Sequence, residues 1–460
     1  MKTLLLLALG AFISVSCTRP GSLANDRKAG LSLPKRYDTT SAPSPDLTSG
    51  LLARFADATL RAHVKRALAR NPDLKEAASR LAELGYDFQS TKAPLFPNLK
   101  ADGNFTRRKF ANLGFGGANQ SIPASNSYDF SLDANWEVDV WGRIRAGVSA
   151  AASDLQAARA DYASARQSIA AQTMQTYMEM AGLEERLKLN RSRLASFERT
   201  LNLVDGLFVD GTSDLSDVNL ARTDVERVRS EQHRLQDERD QSARRLRTLT
   251  GDYVNARLRT NGLPRLGSAV PAGLPSSLLM RRPDIDAAYQ LLRAADSRIT
   301  VAHRALFPAF TLTATGGRSA PTLKELANSN FTTWNILSGF SAPIFENGRL
   351  RNELGAATKR AEQAYHRYQK TVLNAFREVE DALGLDHALA SQENATQAAL
   401  DAARNAENGT RLNYEAGLVE ILTLLEAQRR RFNTEEELIQ LKILRRKNRI
   451  TLALALAKGL

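Results

Sequence analysis

Leu95-Phe96-Pro97-Asn98-Leu99-Lys100-Ala101-Asp102-Gly103-Asn104-Phe105-Thr106 holds the change of hydrophobic period on which the fold turns. Upstream the chain reads as a helix from Pro72 to about Lys92. Asn71 is a good cap, Pro72 fits a first turn where its missing N–H has no partner to lose, and Asp73 suits the positive end of the dipole. Ala93-Pro94 and Phe96-Pro97 stop that helix, because proline lacks the donor and restricts the residue before it. Beyond the stop, Leu99, Ala101, Gly103 and Phe105 alternate with polar residues, as do Tyr128, Phe130, Leu132, Ala134 and Trp136. A period of two marks strands with one apolar and one polar face. A flexible polar loop, Gly114 to Ser121, lies between them.

The same order then recurs. Asn71-Pro72-Asp73 reappears as Arg282-Pro283-Asp284 and Leu95-Phe96-Pro97 as Leu306-Phe307-Pro308, both displaced by 211 residues. Gly142-Arg143 reappears as Gly348-Arg349, and Phe208-x-x-Gly211 as Tyr414-x-x-Gly417, both displaced by 206. Such self-similarity predicts a duplicated architecture. The second copy repeats the strands, with Phe310, Leu312 and Ala314 on one and Trp334, Ile336, Ser338 and Phe340 on its partner.

After each strand pair the period reverts to helical. Ile169, Thr173, Thr176, Met180, Leu183, Leu187, Asn190, Leu194, Phe197, Leu201 and Val204 follow alternating steps of four and three, a coiled-coil seam. The helix that carries it is expected from Arg145 to Val204, roughly 90 Å at about 1.5 Å per residue. Asp210-Gly211 breaks it, and Ser213 is expected to cap a second helix that returns to about Leu249. The second copy carries Val372, Phe376, Val379 and Leu383 on one helix, a break at Ala416-Gly417, and a return from Leu418 to about Ala457. Each copy is thus one long rod flanked by two shorter rods stacked end to end, with two strands at one end.

Four strands cannot close a barrel, since about eight is the smallest number with a filled interior. Left open they would present unpaired edges and an apolar face, so several chains must pool their strands. Barrel strands that cross a bilayer need only about ten residues, alternate apolar outside with polar inside, and place aromatics such as Tyr128, Trp136 and Trp334 near the headgroups.

Lys2 followed by the apolar run Thr3 to Ile13 has the form of a secretory signal peptide, residues 1–16. The only cysteine, Cys17, stands directly behind it and can form no intrachain disulfide. Its position resembles a bacterial lipoprotein cleavage site, where the cysteine becomes lipidated, although Ser14 stands where such sites usually carry leucine. Residues 17–50 read as an extended leader rich in Pro, Ser, Thr and Gly. Repeat 1 then spans 51–260, a linker 261–275, and repeat 2 276–460.

The net charge of +13 invites a nucleic-acid reading. The clusters Arg244-Arg245, Arg429-Arg430-Arg431 and Arg445-Arg446-Lys447 instead lie on long helices interleaved with acids, where solvated helix surfaces are expected. Enzyme chemistry finds no support. The five histidines, at 63, 233, 303, 366 and 387, lack the spacing of a metal site, no Gly-x-Ser-x-Gly or phosphate loop appears, and Gly114-x-Gly116 lacks the third glycine of a dinucleotide site. No cofactor is expected. With five methionines and no cluster of them, a copper or silver route has no support either.

From about Leu51 to Leu460 the chain resembles the bacterial outer-membrane efflux proteins, the TolC-like family, and within it the lipoprotein branch of multidrug pumps. The carriers are the paired Phe-Pro stops, Trp141-Gly142-Arg143 with Asn347-Gly348-Arg349, the run Thr371 to Leu383, and Tyr414-Glu-Ala-Gly417 leading into Leu424-Leu-Glu-Ala-Gln-Arg429. The resemblance implies a mainly α protein with membrane β structure: a homotrimer whose strands form a twelve-stranded barrel in the outer membrane, continuous with a helical tunnel through the periplasm. It implies a passive exit duct for small molecules such as drugs, working with a periplasmic adaptor and an inner-membrane pump. The tunnel narrows at its periplasmic tip and opens when the adaptor docks there, which the resemblance assigns to the breaks at Gly211 and Gly417.

Near that tip Asp210, Asp214, Asp217, Glu415, Glu420 and Glu426 are candidates for acidic rings, because threefold symmetry repeats each around the bore. Like charges so arranged repel one another unless paired. Glu415 follows Tyr414 where the multidrug branch often carries arginine, and Glu426 stands where aspartate is common, so the Tyr-Arg lock of relatives is not carried over. Tyr414 and Glu426 are expected to take part in the constriction. Two other readings stay open: the outer-membrane channel of a type I protein secretion system, and a periplasmic coiled-coil adaptor, which would lack the four amphipathic strands.

Overall fold

The computed structural model describes residues 22–25, 30–31, 55, 57–109, 123–266 and 281–457. The signal peptide, Cys17, the loop from Gly114 to Ser121, residues 267–275 of the linker and residues 276–280 of repeat 2 lie outside them. Along the described chain run α1 (Ala58–Arg70), α2 (Pro72–Lys92), β1 (Asn98–Arg108), β2 (Ser125–Val138), α3 (Arg143–Val209) and α4 (Leu215–Thr250). The second copy supplies α5 (Pro283–Arg304), β3 (Ala309–Ala320), β4 (Thr332–Ser341), α6 (Arg349–Glu415) and α7 (Ile421–Ala455). The chain divides into two compact units. One holds Leu81–Ala158 and Ala287–Tyr368 with the described residues among Met1–Ala29, and the other holds Gly30–Arg80, Arg159–Asp286 and Gln369–Leu460.

The first unit is organised by an antiparallel sheet of order β1-β2-β3-β4. Register gathers the aromatic and most of the aliphatic positions on one face: Leu99 faces Ala134, Gly103 faces Phe130, Trp136 faces Leu312, and Phe310 faces Phe340, while Leu337, opposite Thr313, lies on the other. On the other face Asp133 accepts hydrogen bonds from Ser131 and Thr315, each at 2.6 Å. The apolar face is uncovered, with Trp334 78%, Phe340 73% and Leu99 68% exposed. Water alone would not tolerate so large a contiguous patch. Where the second copy meets the first, the Trp141 indole stacks on Phe307 at 5.3 Å and its Nε1 donates to the Pro308 carbonyl at 2.8 Å. None of the helices is long and apolar enough to cross a membrane among the described residues.

The second unit is built from helices packed along the coiled-coil seam. Ile169, Thr173, Thr176, Met180, Leu183, Leu187, Asn190, Phe197 and Val204 are all buried. Both α3 and α6 run to 67 residues, roughly 100 Å at about 1.5 Å per residue, longer at each end than the seam alone indicated.

Asn71 does three jobs at one junction. Its N–H closes α1 onto Ala67 O, its Oδ1 accepts from Leu74 N at 3.0 Å to start α2, and its Nδ2 donates to Leu249 O at 3.0 Å. The last bond sets the end of α4 against the start of α2. In the second copy Arg282, a poor cap by residue type, reaches the equivalent carbonyl, donating from Nη1 to Ala455 O at 3.1 Å while its other nitrogens hold Asp284 and Glu378. A long side chain thus replaces the amide at the same joint.

Three expectations need correction. Ser213 does not cap α4: Asp214 occupies the cap position without a side-chain bond, and the Ser213 hydroxyl donates to Asp217 at 3.0 Å. Three methionines do cluster, because Met174, Met178 and Met180 fill one core with Leu60, Val64 and Ile450, where a flexible thioether packs irregular space. Finally, only part of the arginine clusters is solvated surface. Arg245 and Arg430 are exposed, but Arg445 binds Glu393 at 2.8 Å, Arg446 donates from Nε to the Pro264 carbonyl at 2.7 Å, and Arg429 binds Asp224 at 2.6 Å. Charges on adjacent coiled-coil helices neutralise one another across the packing seam, which the linear sequence does not display.

Candidate functional site

Two turns of one design join the coiled-coil helices. After α3, Gly211 takes φ +73°, its N–H donates to Phe208 O at 3.0 Å and the Thr212 N–H donates to Leu207 O at 2.8 Å. After α6, Gly417 also takes φ +73°, its N–H donates to Tyr414 O at 2.9 Å and the Leu418 N–H donates to Asn413 O at 2.8 Å. This is the Schellman pattern, in which a left-handed residue lets two amides satisfy the last carbonyls of a helix. A Cβ at either glycine would meet no atom within 4 Å, so the requirement is conformational and the turn surface is open.

Behind the turns lies a core of Phe197 and Val204 from α3, Val218, Val225 and Val228 from α4, and Ile421, Leu424, Leu425 and Phe432 from α7. Tyr414, at the end of α6, lies half-buried at its edge. Burial, and then the nearby Asp217 carboxylate, push the Tyr414 phenol above the ordinary tyrosine value, so it stays protonated. The structure therefore places Tyr414 within electrostatic reach of Asp217. It does not join Tyr414 to Glu426, which lies on the exposed face of α7.

The other acidic residues behave individually. Glu415 is engaged by Arg411 on its own helix at 2.8 Å, an exposed pair worth little. Asp210, Asp214 and Glu420 are exposed around the turns, with Glu420 capping α7 by backbone position alone.

Sequence reasoning missed the strongest polar contact beneath the turns. Asp224 on α4 is only 3% exposed and receives Arg429 of α7 in a forked contact, with Nε at 3.1 and 3.0 Å from its two oxygens and Nη2 at 2.6 Å. One residue earlier, Gln428 Nε2 donates to the Thr200 hydroxyl of α3 at 2.9 Å, also buried. Together these tie the return helix of the second copy to both helices of the first. An acid spaced three residues after Ala221 on the apolar stripe of α4 was the available signal.

Comparison with known proteins agrees with this anatomy. The family model described as outer membrane efflux protein matches residues 63–252 and 274–458. The outer membrane protein OprJ of Pseudomonas aeruginosa is 32% identical over 88% of both chains. ArpC of Pseudomonas putida, an antibiotic efflux pump outer membrane protein, is 30% identical over all of this chain and 96% of its own. Among solved structures the outer-membrane channel OprN superposes with a TM-score of 0.88 at 26% identity, covering 96% of this chain and 99% of that one. With a sheet that exposes its apolar face, two matching helical turns and a family match across both copies, the chain belongs to the outer membrane efflux proteins.

Proposed function

We propose that three copies of this chain form the outer-membrane exit duct of a tripartite efflux system, passing small molecules such as drugs. The observation that carries this is the four-stranded sheet, whose apolar face and two open edges are satisfied together only when copies close a barrel in lipid. Similarity to an antibiotic efflux channel over the whole chain supports drugs as cargo. The signal peptide 1–16 is removed and Cys17 carries the lipid anchor, followed by the leader 17–50, repeat 1 at 51–260, the linker 261–275 and repeat 2 at 276–460. A periplasmic adaptor, coupled to an inner-membrane pump, docks on the turns at Gly211 and Gly417.

Opening consists of moving Tyr414 and the acidic residues around it away from the bore. In the trimer Asp210, Asp214, Asp217, Glu415, Glu420 and Glu426 line or flank that constriction, and mutual repulsion among them favours release once the adaptor engages. Purified protein reconstituted in planar bilayers should form trimers with small resting conductance. Alanine at both Tyr414 and Glu426 should raise conductance and antibiotic leakage, and an unchanged conductance would remove these residues from the gate. A water-soluble single subunit that conducts no ions would remove the duct altogether.

A further inference from the structure

The internal repeat extends to the register of the strands within the sheet. The two displacements read from the sequence, 211 residues before the strand loop and 206 after it, can be checked against the sheet. Applied to β1 and β2 they carry the pair Asn98↔Asn135 onto Ala309↔Ser341, which is the pair observed between β3 and β4. The hairpin register is therefore conserved without a slip. The seam between hairpins has one internal example, β2 against β3, in which Val138 faces Phe310, Trp136 faces Leu312, Ala134 faces Ala314 and Leu132 faces Gly316.

We infer that the seam between protomers copies that internal seam, so that β4 of one copy pairs antiparallel with β1 of the next, placing Ile344, Ala342, Phe340 and Ser338 opposite Leu99, Ala101, Gly103 and Phe105. The inference rests on the barrel reading given above and adds the partner residues. Strand direction agrees, since β1 and β4 run opposite ways in an all-antiparallel sheet. Facing also agrees: every residue named lies on the apolar face of its strand or in line with it, and a slip of one residue would turn that face inward.

Side-chain size selects among the remaining registers. Phe340 falls opposite Gly103, where a Cβ would meet nothing within 4 Å in the single chain, and Phe105 falls opposite Ser338. A slip of two residues in one direction sets Phe340 against Phe105 and leaves Gly103 facing Ala342. A slip of two in the other direction sets Ile336 against Phe105 and leaves Gly103 facing Ser338. The seam also accounts for Ile344, 82% exposed beyond the end of β4 and in line with its apolar face. Opposite Leu99 of the next copy it occupies the place that Val138 holds against Phe310.

The test is disulfide trapping in the full-length chain, with Cys17 retained and each single substitution as a control. Directly opposed residues lie about 4.5–5.5 Å apart, within disulfide range, whereas diagonal neighbours lie about 7–8 Å apart. Ala101→Cys with Ala342→Cys, and independently Gly103→Cys with Phe340→Cys, should give covalent trimers on non-reducing gels under mild oxidation. The slipped pairs Ala101→Cys with Phe340→Cys and Phe105→Cys with Phe340→Cys should give at least about tenfold less. Within one chain β1 and β4 are two strands apart, so any product is intermolecular. A slipped pair that traps best, or opposed pairs that fail to trap while non-covalent trimers persist, overturns the register and leaves the duct intact. Unmodified protein that forms no trimer in mild detergent overturns both.

Discussion

Replacing Arg429 by methionine removes the partner of a carboxylate that is 3% exposed while keeping most of the side-chain volume. Truncating one member of a buried ion pair costs about 3–5 kcal/mol, because the remaining charge stays desolvated. Arg429 keeps 31% of its own side chain exposed, which admits some water, so the expected cost is about 3 kcal/mol. At about 1.4 kcal/mol per factor of ten, that is roughly a hundredfold larger open population. Hydrogen exchange measures this directly, because local opening sets the rate for protected amides. Peptides from the first turns of α4 and α7 should exchange roughly a hundredfold faster in the variant, while peptides from β1–β4 should not change. Adding Asp224→Leu should recover most of the loss, since replacing both partners by apolar groups leaves no buried charge. If Arg429→Met alone leaves α4 and α7 unchanged, or if the double variant exchanges as fast as the single, the pair does not hold these helices together.

At the turns, Gly211→Val and Gly417→Val should each cost about 1–2 kcal/mol through the left-handed backbone, and asparagine at the same positions should cost less; equal rates of limited proteolysis at the turn for both substitutions would refute conformational strain. Tyr177 donates to Asp57 at 2.8 Å inside the core, and Asp57 also caps α1, so Tyr177→Phe should lose about 1.5–3 kcal/mol of stability in thermal unfolding. Burial first, then the Asp57 hydrogen bond, push the Tyr177 phenol well above its usual value. Stability from the neutral phenol is therefore complete below the unfolded value of about pH 10 and is lost as pH rises toward the folded one. The phenylalanine variant should lack that alkaline loss. Trp141→Phe keeps the stack on Phe307 but loses the bond to Pro308, so hydrogen exchange at the start of β3 should rise about tenfold, and further in Trp141→Ala.

Much of this architecture was written in neighbouring residues. The change of period after Phe96-Pro97 predicted β1, and the seam from Ile169 to Val204 predicted which face of α3 is buried, because both depend on side chains a few positions apart. Gly211 and Gly417 were legible as turns for the same reason: a left-handed residue after a helix is a local requirement. Helix α1 was missed because Asn71-Pro72 reads as a beginning, although Asn71 also ends the helix before it.

The remainder depends on residues far apart in the chain. Asp224 and Arg429 are 205 positions apart, and a run of three arginines reads as solvated surface until α7 is laid against α4. Arg282 looked like a weak cap, yet its reach to Ala455 reproduces the Asn71 joint with different chemistry. The influence of the Asp217 carboxylate on Tyr414 likewise joins residues 197 positions apart, 414 − 217, and is invisible until α4 and α6 are placed near each other. Sequence determined the elements, their faces and their duplication, because periodicity is a property of adjacent side chains. Tertiary structure alone decided which charges are desolvated together, because that depends on which helices pack side by side.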